Sequence, residues 1–414
     1  MKRIIKAWVT GNWQRQVLFV SIIGMLISLF CSRAGLSVCM MVFLVTSFLH
    51  PSLRTHVKSF FFTPLLCGMS LLFLLPLVSG LWSADTQQWL AIIQVKVPLL
   101  VLPLAFAGPW QLSRKQWLAI AFVFIALVTA GTLWSLYHYL QNMKEVQEGY
   151  LKSTSMLTPL GNDHVRFSWL ISVGILLCGW ILLDEKGKRI LLWLLLPVML
   201  WLIVFLHILA ARTGLLSFYI ILMIAALWLL VRRTKPLQSV VVILVAILLP
   251  VAAYFYLPTF HNRVRYIVYD FAYFRKANYL MGADDAVRVI SIKAGWGIMN
   301  EHPLTGVGSG DVWTATNQWY SVHYPQMYDF DRILPGSEWM MYGAGCGWLG
   351  FLLFSFVMII PFFVRVRHRL VWWLLNITAA FSFLFDIGLE VQFGIFAYAF
   401  IVLWWWKWLN PEKV

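Results

Sequence analysis

The chain has 414 residues, 61% hydrophobic and 12% charged, with a mean hydropathy of +0.78. A soluble domain of that length has no core large enough to hide so much apolar surface, so a soluble enzyme or binding module is excluded. The net charge of +15 would suit a nucleic-acid binder, but no soluble basic domain carries it, and nucleic acid is not an expected partner.

A helix crosses ~30 Å of hydrocarbon with roughly 20 apolar residues. In chain order, such windows fall near 16–31, 34–49, 60–82, 89–107, 117–140, 166–183, 191–210, 213–231 and 239–257, then 339–364, 371–389 and 391–408. The expected fold class is therefore an all-α polytopic membrane protein of about twelve transmembrane helices. The first window has a basic flank but no small-residue cleavage site, so it reads as an uncleaved span.

Charge orders these windows. With the N-terminus inside, the inner connections hold Lys2, Arg3, Lys6, Arg15, Arg54, Lys58, Arg114, Lys115, Lys186, Lys188, Arg189, Arg232, Arg233, Lys235, Arg365, Arg367, Arg369, Lys407 and Lys413. Only Asp184, Glu185 and Glu412 oppose them there. Every second connection being basic is the positive-inside pattern, and it puts both termini in the cytoplasm. The tryptophans gather near window ends, as at Trp372 and Trp373 or Trp404 to Trp406, and are expected to form interfacial belts. The five cysteines lie in or beside windows without metal-type spacing and read as packing residues. Lys96 is a lone intramembrane charge, and Asp386 and Glu390 stand at an outer end.

Two outer connections are long, 141–165 and 258–338. The second divides the chain into helices 1–257, a large outer loop 258–338 and helices 339–414, and loops of that length usually carry function. Within it, "HNRVRYIVYDFAYFRKANYL" is basic and aromatic, as an interfacial helix would be. Asp284 and Asp285 suit a helix start, and Val287, Ile290, Ala294 and Ile298 recur at helical spacing up to His302-Pro303. "GVGSGD" follows as a tight turn; no strand precedes it and no Lys-Ser/Thr follows, so a phosphate loop is disfavoured.

Three arginines stand at the outer boundary: Arg166 after "GNDH", Arg212 in "AARTG" between two windows, and Arg288 on the polar side of the loop helix. Outer arginines run against the topology and are costly to bury unpaired. Snorkelling or local ion pairs would explain them singly. Convergence on one outward cavity would suit a diphosphate, whose oxygens a guanidinium holds bidentately.

Three segments in order, "LAARTGLLSFYIILMIAAL", "AVRVISIKAGWGIMNEHPLTGVGSGD" and "PGSEWMMYGAGCGWLGFLLF", resemble the O-antigen ligase and Wzy polymerase superfamily over most of residues 210–354. The resemblance implies a metal-independent, cofactor-free GT-C-type glycosyltransferase of the bacterial inner membrane. Its donor would be an undecaprenyl-diphosphate-linked glycan taken from the membrane lipid at the periplasmic face, and the 258–338 loop would be periplasmic. The acceptor would be lipid A–core for a ligase, or another carrier-linked glycan for a polymerase. Arg212 and Arg288 would then hold the diphosphate, with Arg166 beside them. The family histidine falls at Gly336, which can neither accept a proton nor bind phosphate. Glu338, His323 and His302 are the candidates to replace it as base or substrate contact, the imidazoles having the more suitable ordinary pKa. A lipid-linked oligosaccharide flippase and an inactive binding relative are the competing readings. A transporter should show paired repeats, broken helices and more mid-membrane ionisable groups.

Overall fold

The computed structural model describes residues 12–49, 52–152, 154–185, 189–231, 236–277, 279, 281–282 and 284–410. Among them there is no strand. Of the expected inner bases, Lys2, Arg3, Lys6, Lys186, Lys188, Arg232, Arg233, Lys235 and Lys413 lie outside the described residues.

The helices run α1 (Asn12–Cys31), α2 (Arg33–Phe48), α3 (Leu53–Phe62), α4 (Pro64–Ser79), α5 (Thr86–Lys96), α6 (Pro98–Phe106), α7 (Arg114–Gln141) and α8 (Met143–Gly149). After a turn at 159–162 come α9 (His164–Asp184), α10 (Arg189–Leu209), α11 (Arg212–Val231), α12 (Pro236–Tyr256) and α13 (Pro258–Ala277). The chain ends with α14 (Asp284–Glu301), α15 (Val312–His323), α16 (Glu338–Phe363), α17 (Arg369–Leu384) and α18 (Gln392–Leu409).

Local chemistry sets the starts. Ser113 accepts from Gln116 N while Gln116 returns a bond to the Ser113 backbone, a capping box that opens α7. Asp85 and Asp163 cap α5 and α9, and Pro64 and Pro98 occupy first-turn positions whose N–H has no helical partner anyway.

Among the described residues, eight helices are long and apolar enough to cross a membrane, α5 and α6 acting as one. This falls short of the expected twelve. Residues 34–49 form α2, which passes only as a bent pair with α3. The 60–82 window is cut at Thr63-Pro64, leaving α4 as a shorter apolar helix, and α17 stops at Leu384 and is short in the same way. The 391–408 window is α18, diluted by aromatic residues. Hydropathy found each apolar stretch and overestimated how many remain long and unbroken.

Of the tryptophans expected at interfaces, Trp373 is exposed but its neighbours in the two examples are not. Trp372, Trp404 and Trp405 are fully buried in the helix core. Trp404 stacks on Phe400 and Trp408, and the Trp372 indole donates to the Pro361 carbonyl at 2.7 Å. Aromatic area is more favourable here against other rings than at the lipid boundary.

One feature organises the end of the bundle that carries the 284–323 helices. Helix α16 is broken at Cys346 (φ −135°) and Gly347 (φ 66°). A break leaves backbone groups that hydrocarbon cannot satisfy, so it must be buried in protein. The 303–308 segment supplies partners: Val307 N donates to Ala344 O (2.9 Å), Gly308 N to Gly345 O (3.0 Å), and Trp348 N to Pro303 O (2.9 Å). The same segment docks on the α4–α5 connection. Ser309 N donates to Ser79 Oγ, Gly310 N to Ser83 Oγ, and Asp311 accepts from Ala84 N and Asp85 N. "GVGSGD" is therefore a structural turn that braces a broken helix.

Around it the expected loop helices form. Val287, Ile290, Ala294 and Ile298 are buried as one face of α14 and pack with Tyr320, Met327, Val312 and Met341 in two small clusters. Gly306 (φ 65°) would place a Cβ 2.4 Å from Cys346 N, and Gly347 one 2.5 Å from Pro303 O. Alanine at either position meets both a left-handed backbone, costing about 1–2 kcal/mol, and a clash with main chain. Gly306→Ala and Gly347→Ala should each lower the melting temperature of the purified protein by several degrees in scanning fluorimetry; an unchanged midpoint would remove this brace from the account.

Candidate functional site

The "AARTG" junction is built by exact closure of the α10 terminus. The Tyr150 hydroxyl donates to Leu209 O at 2.7 Å and Thr259 Oγ1 to Ile208 O at 2.6 Å. Ala210 then turns the chain with φ 48°, a left-handed conformation uncommon for a residue with a Cβ. Next, α11 starts against α9. Gly214 N donates to Ser168 Oγ, Ser172 Oγ donates to Gly214 O, and a Cβ on Gly214 would lie 2.6 Å from Ser168 O. That approach fixes Arg212 beside the first turn of α9. His207 is a structural residue: its ring nitrogens face Ile203 O (2.7 Å) and the Tyr219 hydroxyl (2.6 Å).

The three arginines meet here, but they are compensated differently. Arg166 is tied to Asp163, to Asp386 at 3.2 Å and to Ile387 O at 2.9 Å, over the Phe393 ring. Two carboxylates already answer its charge. Burial pushes the Asp386 carboxyl above its usual range, against the pull of Arg166. Arg212 is half-buried and paired with Asp285 at the start of α14. The Asp285 backbone N–H in turn donates to Asp270 at 3.0 Å, whose carboxyl burial also raises. Arg288, one turn along α14, donates to Phe385 O at 2.7 Å and has no carboxylate partner among the described residues. Arg288 is the cation left open.

Gly336 borders it. Its N–H donates to Ser291 Oγ at 3.0 Å, and a Cβ there would lie 2.9 Å from that oxygen and 3.0 Å from Arg288 Cγ. The stem of Arg288 passes through the space that a side chain at 336 would need.

The histidine candidates are placed apart from this cluster, whereas Glu338 lies within electrostatic reach of Arg166 and Asp386. Glu338 is fully buried at the start of α16, where it accepts from Leu389 N. Beside it Lys96 binds Glu390 (2.6 Å) and Leu389 O (3.0 Å) beneath the Tyr342 ring. Lys96 is thus not alone: together with Glu338 it pins the 388–390 turn to the bundle. His302 and His323 are both exposed and share a separate cavity of about 260 Å³, with His323 stacked on Trp319 at 4.2 Å.

One residue at the site was overlooked in sequence. His164 opens α9 and lies within electrostatic reach of Arg263, Asp163, Arg288 and Arg212. Neither of its ring nitrogens has a hydrogen-bond partner among the described residues. Its signal was its position, immediately after the capping Asp163 and two residues before Arg166.

The compensation pattern separates Arg166, which meets two carboxylates, from Arg288, which meets a carbonyl. Arg166→Ala strands Asp163 and Asp386, and breaking a buried pair costs about 3–5 kcal/mol. That variant should be poorly folded in fluorescence-detected size exclusion, whereas Arg288→Ala should elute and melt as the parent does. Equal behaviour of the two would refute the distinction.

Comparison with known proteins adds one match. Residues 197–355 match the family model described as O-antigen ligase. No curated protein matches the chain. The matched segment runs from α10 through the break in α16 and includes Arg212, Arg288 and Gly336. Over residues 197–355, this membrane chain is similar to the O-antigen ligase family.

Proposed function

We propose that the chain transfers a glycan from undecaprenyl diphosphate to lipid A–core at the periplasmic face of a bacterial inner membrane. The observation that carries this reading is the open Arg288 guanidinium, one turn from the Arg212–Asp285 pair and facing His164. A family of O-antigen ligases and an uncompensated cation at one end of the helices fit a donor whose leaving group is anionic. The positive-inside ordering favours that end as the outer one, with both termini inside and the 258–338 segment covering the site.

The step needs little from the protein beyond charge and a base. An acceptor hydroxyl oxygen attacks the anomeric carbon, the bond from that carbon to the diphosphate oxygen breaks, and undecaprenyl diphosphate leaves. Arg288 spreads the charge developing on the departing oxygen, the preorganised electrostatic role that is usually the largest catalytic contribution. Arg212 assists, with the diphosphate sharing it against Asp285. The hydroxyl proton goes to His164. Its ring nitrogens have no hydrogen-bond partner among the described residues, so a neutral imidazole there can accept it. Glu338 serves less well as base, since it is enclosed and already accepts a backbone N–H.

Purified protein with labelled carrier-linked glycan and lipid A–core tests this. Arg212→Ala and Arg288→Ala should abolish transfer in folded, inserted protein; normal turnover in either removes the diphosphate assignment. His164→Ala should lose about 10²- to 10⁴-fold, the range for a lost general base, while Glu338→Gln should lose far less. The reverse order would make Glu338 the base. Glycan joined to a second carrier-linked unit would make the chain a polymerase, and movement across vesicles without transfer a flippase. Gly336→His should lower transfer, because the new ring displaces Arg288; a gain of activity would show that the histidine position is still usable.

A further inference from the structure

The opposite end of the bundle holds a second pair of cavities. Helices α9, α16 and α18 all begin near the arginine cluster and end there, at Asp184, Phe363 and Leu409. One cavity, of about 240 Å³, is walled by Trp117 and Trp180 and edged by Arg114, Arg367, His368 and Lys407. The adjoining one, of about 740 Å³, runs along Phe356, Ile359, Ile360 and Phe363 to Arg365. Trp406 and Asn410 line both, so the two lie side by side.

Their chemistry is divided as a lipid's is. In the first, cations outnumber carboxylates. Arg114 is taken by Asp184 (2.8 Å) and Glu185 (2.7 Å), and His368 lies 3.5 Å from Asp184. Lys407 is held by the carbonyls of Phe106 (3.2 Å) and Gly108 (2.6 Å), which leave its charge uncancelled. The guanidiniums of Arg367 and Arg365 have no partner among the described residues. The second cavity is an unfilled apolar face: Phe363 is 81% exposed, Phe356 59% and Ile359 50%.

We infer that these adjacent cavities bind one anionic diacyl phospholipid, its phosphate at Arg367 and its acyl chains along the Phe356–Phe363 face of α16. Charge complementarity selects the headgroup, because basic pockets between helices retain anionic lipids where zwitterionic ones gain little. The apolar groove selects a tethered phosphate over a soluble one, since every methylene buried along it adds to the affinity. Bound there, the lipid ties the end of α18 to the end of α16. This site is remote from the arginine cluster and does not depend on the proposed transfer reaction.

Native mass spectrometry of the purified full chain, delipidated and titrated with phosphatidylglycerol or phosphatidylcholine in mixed micelles, tests the inference. The parent should retain phosphatidylglycerol about ten-fold better than phosphatidylcholine, and Arg367→Gln should weaken that retention about five-fold, the loss of one near-surface charge. Arg365→Gln combined with it should weaken retention further, while Arg189→Gln, which removes a base outside the cavity, should change nothing. Equal retention of the two lipids would overturn the site, as would no loss in Arg367→Gln. Displacement by millimolar glycerol phosphate would make it a site for soluble anions, and a doubled mass in place of lipid adducts would make the groove an interface between copies.

Discussion

The break in α16 is the constraint on which the Arg288 end of the bundle depends. A helix interrupted at Cys346 and Gly347 exposes main-chain groups that lipid cannot satisfy, and the 303–308 turn meets them bond for bond. Through Ser309, Gly310 and Asp311 the same turn is held by α4 and α5. The segment that carries Arg288 is therefore fastened to two separate parts of the bundle. The role proposed for Arg288 needs such support, because a cation in a mobile loop would be solvated and would stabilise little charge.

The second ordering principle is compensation of charge. Arg166, Lys96 and Arg114 each meet carboxylates and hold elements together. Arg212 is matched once, by a residue from a different helix. Arg288 is matched only by a carbonyl. Sequence places all of these on membrane boundaries without ranking them. Partners decide the ranking, and those partners lie up to 293 positions or more away, as Lys96 and Leu389 do.

Much of the architecture was nonetheless legible. Each apolar window corresponds to helix, and the α14 stripe of Val287, Ile290, Ala294 and Ile298 is buried as its spacing required. Hydropathy averages over a window, so it could not see the cut at Thr63-Pro64 or the break at Gly347, which are decided by backbone geometry. Composition put the tryptophans at interfaces, but Trp404 and Trp405 find better partners in other rings inside the core. The arginine side of the site could be read from topology and motif together. His164 could not, because a histidine beside a helix cap has an ordinary local explanation until α11 and α14 bring Arg212 and Arg288 to face it.

The contact between Gly336 and Arg288 reaches beyond this chain. One position must stay without a side chain for the arginine stem to cross toward Phe385. Residues 288 and 336 therefore form a coupled pair in which a side chain at 336 competes with the arginine stem at 288. A relative with a histidine at the second position must route its arginine differently or shift α14 outward. Substitutions swapped between such relatives one at a time would then fail where the paired exchange succeeds, so the two positions should be inherited together.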